Sequence, residues 1–134
     1  MNLLLDTHIV LWAILDDELL PQKARDLILD NANEIYYSSV STWEVLLKHS
    51  SNPQNLYISA GQFIERCRYS GFISVNLSDK HISAVETLSR PENAPDHKDP
   101  FNRLLLSQAK TENLFFVTHD KKFSDYNEEC VIIV

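Results

Sequence analysis

Five short apolar runs punctuate this chain, and the segments between them carry helical spacing. The runs are LLL at 3–5, EIYYSS at 34–39, FISVNL at 72–77, LFFVT at 114–118 and CVIIV at 130–134. They are nearly continuous in aliphatic, aromatic and β-branched types, the pattern of strands buried on both faces. Between them lie HIVLWAIL at 8–15 and PQKARDLILDNAN at 21–33, the latter opened by Pro21 with Ala24, Leu27 and Ile28 at helical spacing. STWEVLLKHS at 41–50 follows with Ser39 or Ser41 as N-cap, and SSNPQN is a loop. The segment 58–71 predicts an amphipathic helix stopped by Gly71, and SDKHISAVETL predicts a helix over 78–88. After RPENAPDHKD, the longest irregular stretch, Asp99 and Pro100 open a last helix with Leu104, Leu105, Leu106 and Ala109 as its apolar stripe. Alternating β and α units with such strands predict an α/β fold with a parallel sheet covered on both faces. No repeat, low-complexity segment or linker divides residues 1–134, so one domain is expected. In such sheets ligands bind beyond the carboxyl ends of the strands, at the topological switch point.

Composition narrows the function. A 44% hydrophobic fraction is that of a folded core. The net charge of −7 argues against broad nonspecific binding to nucleic acid, although carboxylates holding a cation make a chain look more anionic than its working form. The apolar N-terminal stretch lacks a basic leader, carries Asp6 and His8, and is too short and polar to span a bilayer; a soluble, cytoplasmic protein is expected. Cys67 and Cys130 form no metal or redox motif and suit small buried positions in a reducing compartment. The two glycines, Gly61 and Gly71, do not lead a strand into a helix, which excludes a P-loop and a dinucleotide fingerprint. The five histidines show no metal-ligand spacing, and no serine sits in a nucleophile elbow. His119 suits a turn, and Trp12, Trp43, Tyr36, Tyr37 and Phe116 suit the core.

The acids are distributed differently. Asp6 directly follows the first strand, Asp120 follows LFFVT, Asp99 opens the helix before that strand, and Glu44 lies on the helix after the second strand. Each has a purely structural explanation: Asp6, Asp99 and Asp120 as caps or turns, Glu44 with Lys48 as a surface pair worth only about 0.3–0.5 kcal/mol. Together, however, all four fall toward one end of the sheet. Uncompensated carboxylates there repel one another unless a cation sits among them, and all-oxygen ligation suits Mg²⁺ or Mn²⁺.

Four motifs in order, LLLDTHIVLW, SVSTWEVLLK, HKDPFNRLLLSQA and LFFVTHDKKF, resemble the PIN-domain nucleases, most of all the VapC-like toxins of toxin–antitoxin pairs. The resemblance covers essentially the whole chain. It implies a three-layer α/β/α fold with a parallel sheet of four to five strands, and a Mg²⁺- or Mn²⁺-dependent endoribonuclease. It also implies a small cognate antitoxin and a homodimer. Carried onto this chain, the acids are Asp6, Glu44, Asp99 and Asp120. Relatives usually read Asp-Pro-Phe-Asp-Arg where this chain has DPFNR, so Asn102 replaces an aspartate. Asn102 still offers a carbonyl oxygen but no charge.

On this reading Asp6, Asp99 and Asp120 hold metal, and Glu44 either holds a second metal or accepts a proton from attacking water. Thr7 and Thr118 place hydroxyls beside the carboxylates, with Asn102 alongside. Lys98, Arg103, Lys121 and Lys122 flank the acids and are candidate contacts to the RNA backbone. The alternative is a binding module of the same fold, its metal site weakened by Asn102, that retains RNA or antitoxin. A receiver-like phosphotransfer domain is disfavoured because EIYYSS and FISVNL end without an aspartate.

Overall fold

The computed structural model describes residues 1–56, 58–91 and 99–134. Among these, five strands form one parallel sheet: β1 (Asn2–Leu5), β2 (Glu34–Ser38), β3 (Ile73–Val75), β4 (Phe115–Thr118) and β5 (Val131–Ile133), in the order β3-β2-β1-β4-β5. Leu4 is level with Tyr36 on one side and Phe116 on the other. The six α-helices are α1 (Thr7–Ile14), α2 (Gln22–Leu29), α3 (Ser39–Ser51), α4 (Ala60–Tyr69), α5 (Asp79–Ser83) and α6 (Pro100–Thr111). The sheet is covered on both faces, as the apolar strands require.

Strand alternation builds the two layers. Leu3 and Leu5 enter one core with Ile9, Val10, Ala24, Ile35, Tyr37 and Phe63, whereas Leu4 enters the other with Leu105, Leu106 and Phe116. All three leucines of β1 are wholly buried, because β1 is central and flanked by strands on each side. The chain moves from β1 to β2 in one direction and joins β4 on the opposite edge. The switch point therefore lies between the ends of β1 and β4.

Local chemistry explains the helix ends. Ser59 and Gln62 form a reciprocal capping box at the start of α4. At its end, Phe72 N–H donates to Cys67 O and Gly71 N–H to Arg68 O, a Schellman arrangement with Gly71 at φ 82°. Asn113 plays the same part after α6, at φ 57°, and turns the chain directly into β4. At the end of β2, Ser38 caps α3 by accepting from Val40 N–H, so the cap falls one residue before the earlier of the expected serines. Strand passes into helix there without a loop. The segment expected as one helix over 78–88 splits after Ser83 into a 3-10 turn, Ala84–Thr87. Helix α2 stops at Leu29 because Asp30 is extended, and β3 is shorter than FISVNL.

The core expectation fails at Trp43, which is 53% exposed on the outer face of α3 beside exposed Leu46 and Leu47. Tyr37 and Phe116 are buried, and Tyr36 is half-buried. Cys67 is buried, and burial pushes its thiol up to about 12, so it is inert at neutral pH. Cys130 is half-buried. No helix among the described residues is long and apolar enough to cross a membrane. Gly71 has open space where a Cβ would stand, so Gly71→Ala pays only for backbone conformation. Urea denaturation is expected to show a loss of about 1 kcal/mol for Gly71→Ala and a smaller loss for Gly71→Asn. Equal stability of all three would contradict the left-handed turn.

Candidate active site

A cavity of about 600 Å³ opens at the switch point. Its lining includes Asp6, Glu44, Asp99 and Asp120, together with Asn102, His8, Trp12, Lys48 and His119. Four acids spread over more than a hundred residues of sequence therefore share one wall of solvent-accessible space.

Asp6 is the most constrained of them. It stands where β1 gives way to α1, only 5% exposed, its backbone N–H donating to Val117 O of β4. Its Oδ1 accepts from Thr7 N–H at 2.7 Å, and its Oδ2 accepts from the Thr118 hydroxyl at 2.6 Å. Thr118 Oγ1 in turn accepts from Asp120 N–H at 3.1 Å, so the two aspartates are joined through one hydroxyl. Desolvation by burial is the main force on the Asp6 carboxyl. The two hydrogen bonds oppose it, but Glu44 and Asp120 add repulsion, and the pKa is raised to about 6.

Thr7 departs from expectation. It serves Asp6 through its backbone, while its hydroxyl shares a 2.7 Å hydrogen bond with Ser41 and ties α1 to α3. That tie brings Glu44, one turn along α3, into the cavity. Glu44 is 6% exposed; its Oε2 is 3.0 Å from Lys48 Nζ, and its Oε1 is buried with no hydrogen-bond partner among the described residues. The i, i+4 pair is thus present, but at a buried carboxylate. The Ser38 hydroxyl, at the end of β2, donates to Gln108 Oε1 and joins that strand end to α6.

Asp99 and Asp120 act as caps and also line the cavity. Asp99 Oδ1 accepts from Phe101 N–H at 2.9 Å and Asn102 N–H at 3.4 Å, and Asp120 Oδ1 accepts from Lys122 N–H at 2.9 Å. Asn102 Nδ2 lies 3.5 Å from Asp120 Oδ2, a long donor contact. A neutral amide therefore stands next to Asp120, where an aspartate would add a further negative charge. The charge of Asp99 favours the protonated form of His8 but is not among the charges acting on Asp6, whereas those of Glu44 and Asp120 are. Arg103, Lys121 and Lys122 are exposed and stand outside the cavity lining, and Lys98 lies outside the described residues.

The positively charged side chain in the cavity lining is instead Lys48, expected from the sequence only as a surface partner of Glu44. His8 and Trp12 were missed as cavity residues; their signal was i, i+4 spacing on the helix capped by Asp6. Their rings stack at 5.8 Å, and His119 meets the edge of Trp12 at 5.9 Å. His119 is more than a turn residue: its Nδ1 is 2.6 Å from Val134 O, which fixes the ring at the cavity. His8 is exposed on its outer edge and walled in on the inner. Desolvation there, helped by Lys48, holds its imidazole below the usual range.

The donor set fits a hard divalent cation: carboxylate oxygens, one of them buried and unpartnered, and an amide. Among the described residues no group of three or more histidine, cysteine or acidic side chains is close enough together to hold a metal ion, so the acids surround the cavity rather than converge within it.

A parallel α/β/α sandwich with carboxylates around its switch point defines the class. The chain belongs to the PIN domain family, whose profile matches residues 3–129. That family comprises nucleases that generally use divalent metal ions. Its fold is similar to a chain of the crystal structure of VapBC2 from Rickettsia felis bound to a DNA fragment from their promoter. That match has a TM-score of 0.66 at 21% identity and covers 100% of this chain and 98% of the other. A chain of a toxin-antitoxin complex from Klebsiella pneumoniae matches with a TM-score of 0.61 at 17% identity, covering 96% and 94%. A search of curated proteins finds no significant match.

The Asp6 shift has a thermodynamic consequence. Its folded-state pKa lies above the unfolded value of 3.8, so the folded chain holds its proton more tightly. The resulting stability is present below pH 3.8 and lost as pH rises through about 6. A shift of this size corresponds to on the order of 3 kcal/mol. In metal-free buffer, Asp6→Asn is expected to flatten the fall in stability between pH 4 and 7 and to melt higher than wild type at pH 7.5. Parallel stability profiles for the two proteins would contradict the assignment.

Proposed function

We propose that this chain is a Mg²⁺- or Mn²⁺-dependent endoribonuclease acting as the toxin of a toxin–antitoxin pair. The observation that carries the reading is the buried Glu44 carboxylate, one oxygen of it without a partner among the described residues, lining the same cavity as the desolvated Asp6 carboxyl. Membership of a nuclease family and the fold shared with two toxin–antitoxin complexes support it. On this reading the whole chain works as one domain in the cytoplasm and is held in check by a small antitoxin. The exposed row Trp43, Leu46 and Leu47 on α3 supports a homodimer interface.

When bound, the divalent cation neutralises the acids, lowers the pKa of a water and stabilises charge on the phosphate. Asp6, Glu44 and Asp120 would hold it, with Asp99 and the Asn102 carbonyl oxygen at the cavity wall. Thr118 orients Asp6 and Asp120 together through one hydroxyl. Lys48 keeps Glu44 in place through its ion pair, and the proton of the attacking water passes to solvent. Water oxygen bonds to phosphorus, one ester P–O bond breaks, and the leaving oxygen takes up a proton to become an alcohol. Arg103, Lys121 and Lys122, exposed near the acids in sequence, and Lys98 are proposed contacts to the RNA backbone.

A second reading has one specific observation in its favour. The neutral Asn102 amide sits beside Asp120, so the site has one charge fewer than the family pattern. A binding module that holds RNA or antitoxin without efficient cleavage would follow. Cleavage of a mixed RNA pool decides between the two. Wild type is expected to cut with Mg²⁺ or Mn²⁺ and to stop with EDTA, and Asp6→Ala and Asp120→Ala to lose roughly a hundredfold or more. Asn102→Asp is expected to change the rate by less than about tenfold. An inert wild type made active by Asn102→Asp would overturn the nuclease reading in favour of the module.

A further inference from the structure

Beside the acidic cavity lies a second one, of about 390 Å³, within the usual range of about 300–1,000 Å³ for small-ligand sites. The two cavities share His8, Trp12 and Lys48, so they are adjoining parts of one surface. Its chemistry differs from that of its neighbour. Leu11, Leu15 and Leu56 give it an apolar side, and the indole of Trp12 stands at the junction with His8 stacked against it. Asn52 and Asn55, both exposed, also line it. Their backbones close the turn after α3, Asn52 O accepting from Asn55 N–H at 3.1 Å. Their side-chain amides make no hydrogen bond among the described residues, which leaves both donors and acceptors available.

From this juxtaposition we propose that the second cavity is a nucleobase subsite. It would take one unpaired base of a single-stranded RNA whose neighbouring phosphate lies at the acids. The Trp12 indole supplies a stacking surface, which any base can use. The two asparagine amides supply donors and acceptors for a base edge, the kind of contact by which single-stranded sequence is read. Lys48 borders both cavities while paired to Glu44, and so marks the point where backbone would pass from one to the other. The subsite helps to explain how a chain of net charge −7 retains a polyanion, since stacking adds affinity that does not depend on a basic surface. This inference rests on the ribonuclease reading and adds the part of the substrate that the acids do not contact.

The chain has two tryptophans, and Trp43 is exposed, so Trp43→Phe leaves Trp12 as the sole indole reporter without disturbing the core. That variant is titrated with single-stranded oligouridylate and oligoadenylate of about ten nucleotides, with Ca²⁺ in place of Mg²⁺. Binding is followed in parallel by anisotropy of end-labelled RNA. Saturable quenching of Trp12 emission is expected. Moving a single abasic residue along the strand is expected to identify one position that costs about tenfold in affinity and abolishes the quenching. Asn52→Ala and Asn55→Ala, both at exposed positions, are expected to narrow the affinity difference between the two homopolymers and to raise KM without lowering kcat. Trp12→Phe is expected to keep most of the affinity that Trp12→Leu loses. Metal-dependent cleavage with bound RNA that neither quenches Trp12 nor responds to an abasic residue would overturn the subsite and leave the nuclease standing. Absence of both RNA binding and metal-dependent cleavage would overturn both.

Discussion

A carboxylate held out of water at the junction of β1 and β4 is the constraint on which the site turns. Asp6 is fixed by the sheet through Val117, by the first turn of α1 through Thr7, and by β4 through Thr118. Its position cannot change without disturbing the two central strands. Burial and the facing charges of Glu44 and Asp120 make its ionisation costly in the metal-free chain. That cost falls at the switch point, where the strand ends open to solvent. Stability given up there is what leaves a strong field for a cation.

The other side chains are arranged around that point by ordinary structural devices. Ser41 binds the Thr7 hydroxyl and aims α3, so Glu44 reaches the cavity. Asp99 and Asp120 each cap a helical turn with one oxygen, and the cap sets the carboxyl at the cavity wall. Capping and chemistry are therefore not competing explanations for these residues. A capping carboxylate is an oriented one, with lone pairs left for a second partner.

Much of this was legible in the sequence, for identifiable reasons. The parallel sheet followed from apolar runs too continuous for a half-exposed strand. The gathering of Asp6 and Asp120 followed from their places immediately after strands, since parallel strands all end on one side. What escaped depended on side-chain direction. Trp43 and Glu44 are adjacent on α3, yet one points to solvent and the other into the cavity, and apolar spacing alone did not separate them. Thr7 was expected to use its hydroxyl and uses its amide. Lys48, His8 and Trp12 have surface or core explanations until α1 and α3 are seen side by side at the site. The Asn102 contact with Asp120 likewise needs the loop after β4 in place.

These carboxylates are proposed to form a divalent-cation site in the folded chain. Titration with Mn²⁺ followed by its electron paramagnetic resonance signal tests it without reference to any substrate. Saturable binding by wild type at pH 7.5, weakened in Glu44→Gln and lost in Asp6→Asn while both variants remain folded, is the predicted result. Mn²⁺ affinity that is unchanged by either substitution would contradict a cation site built on these acids.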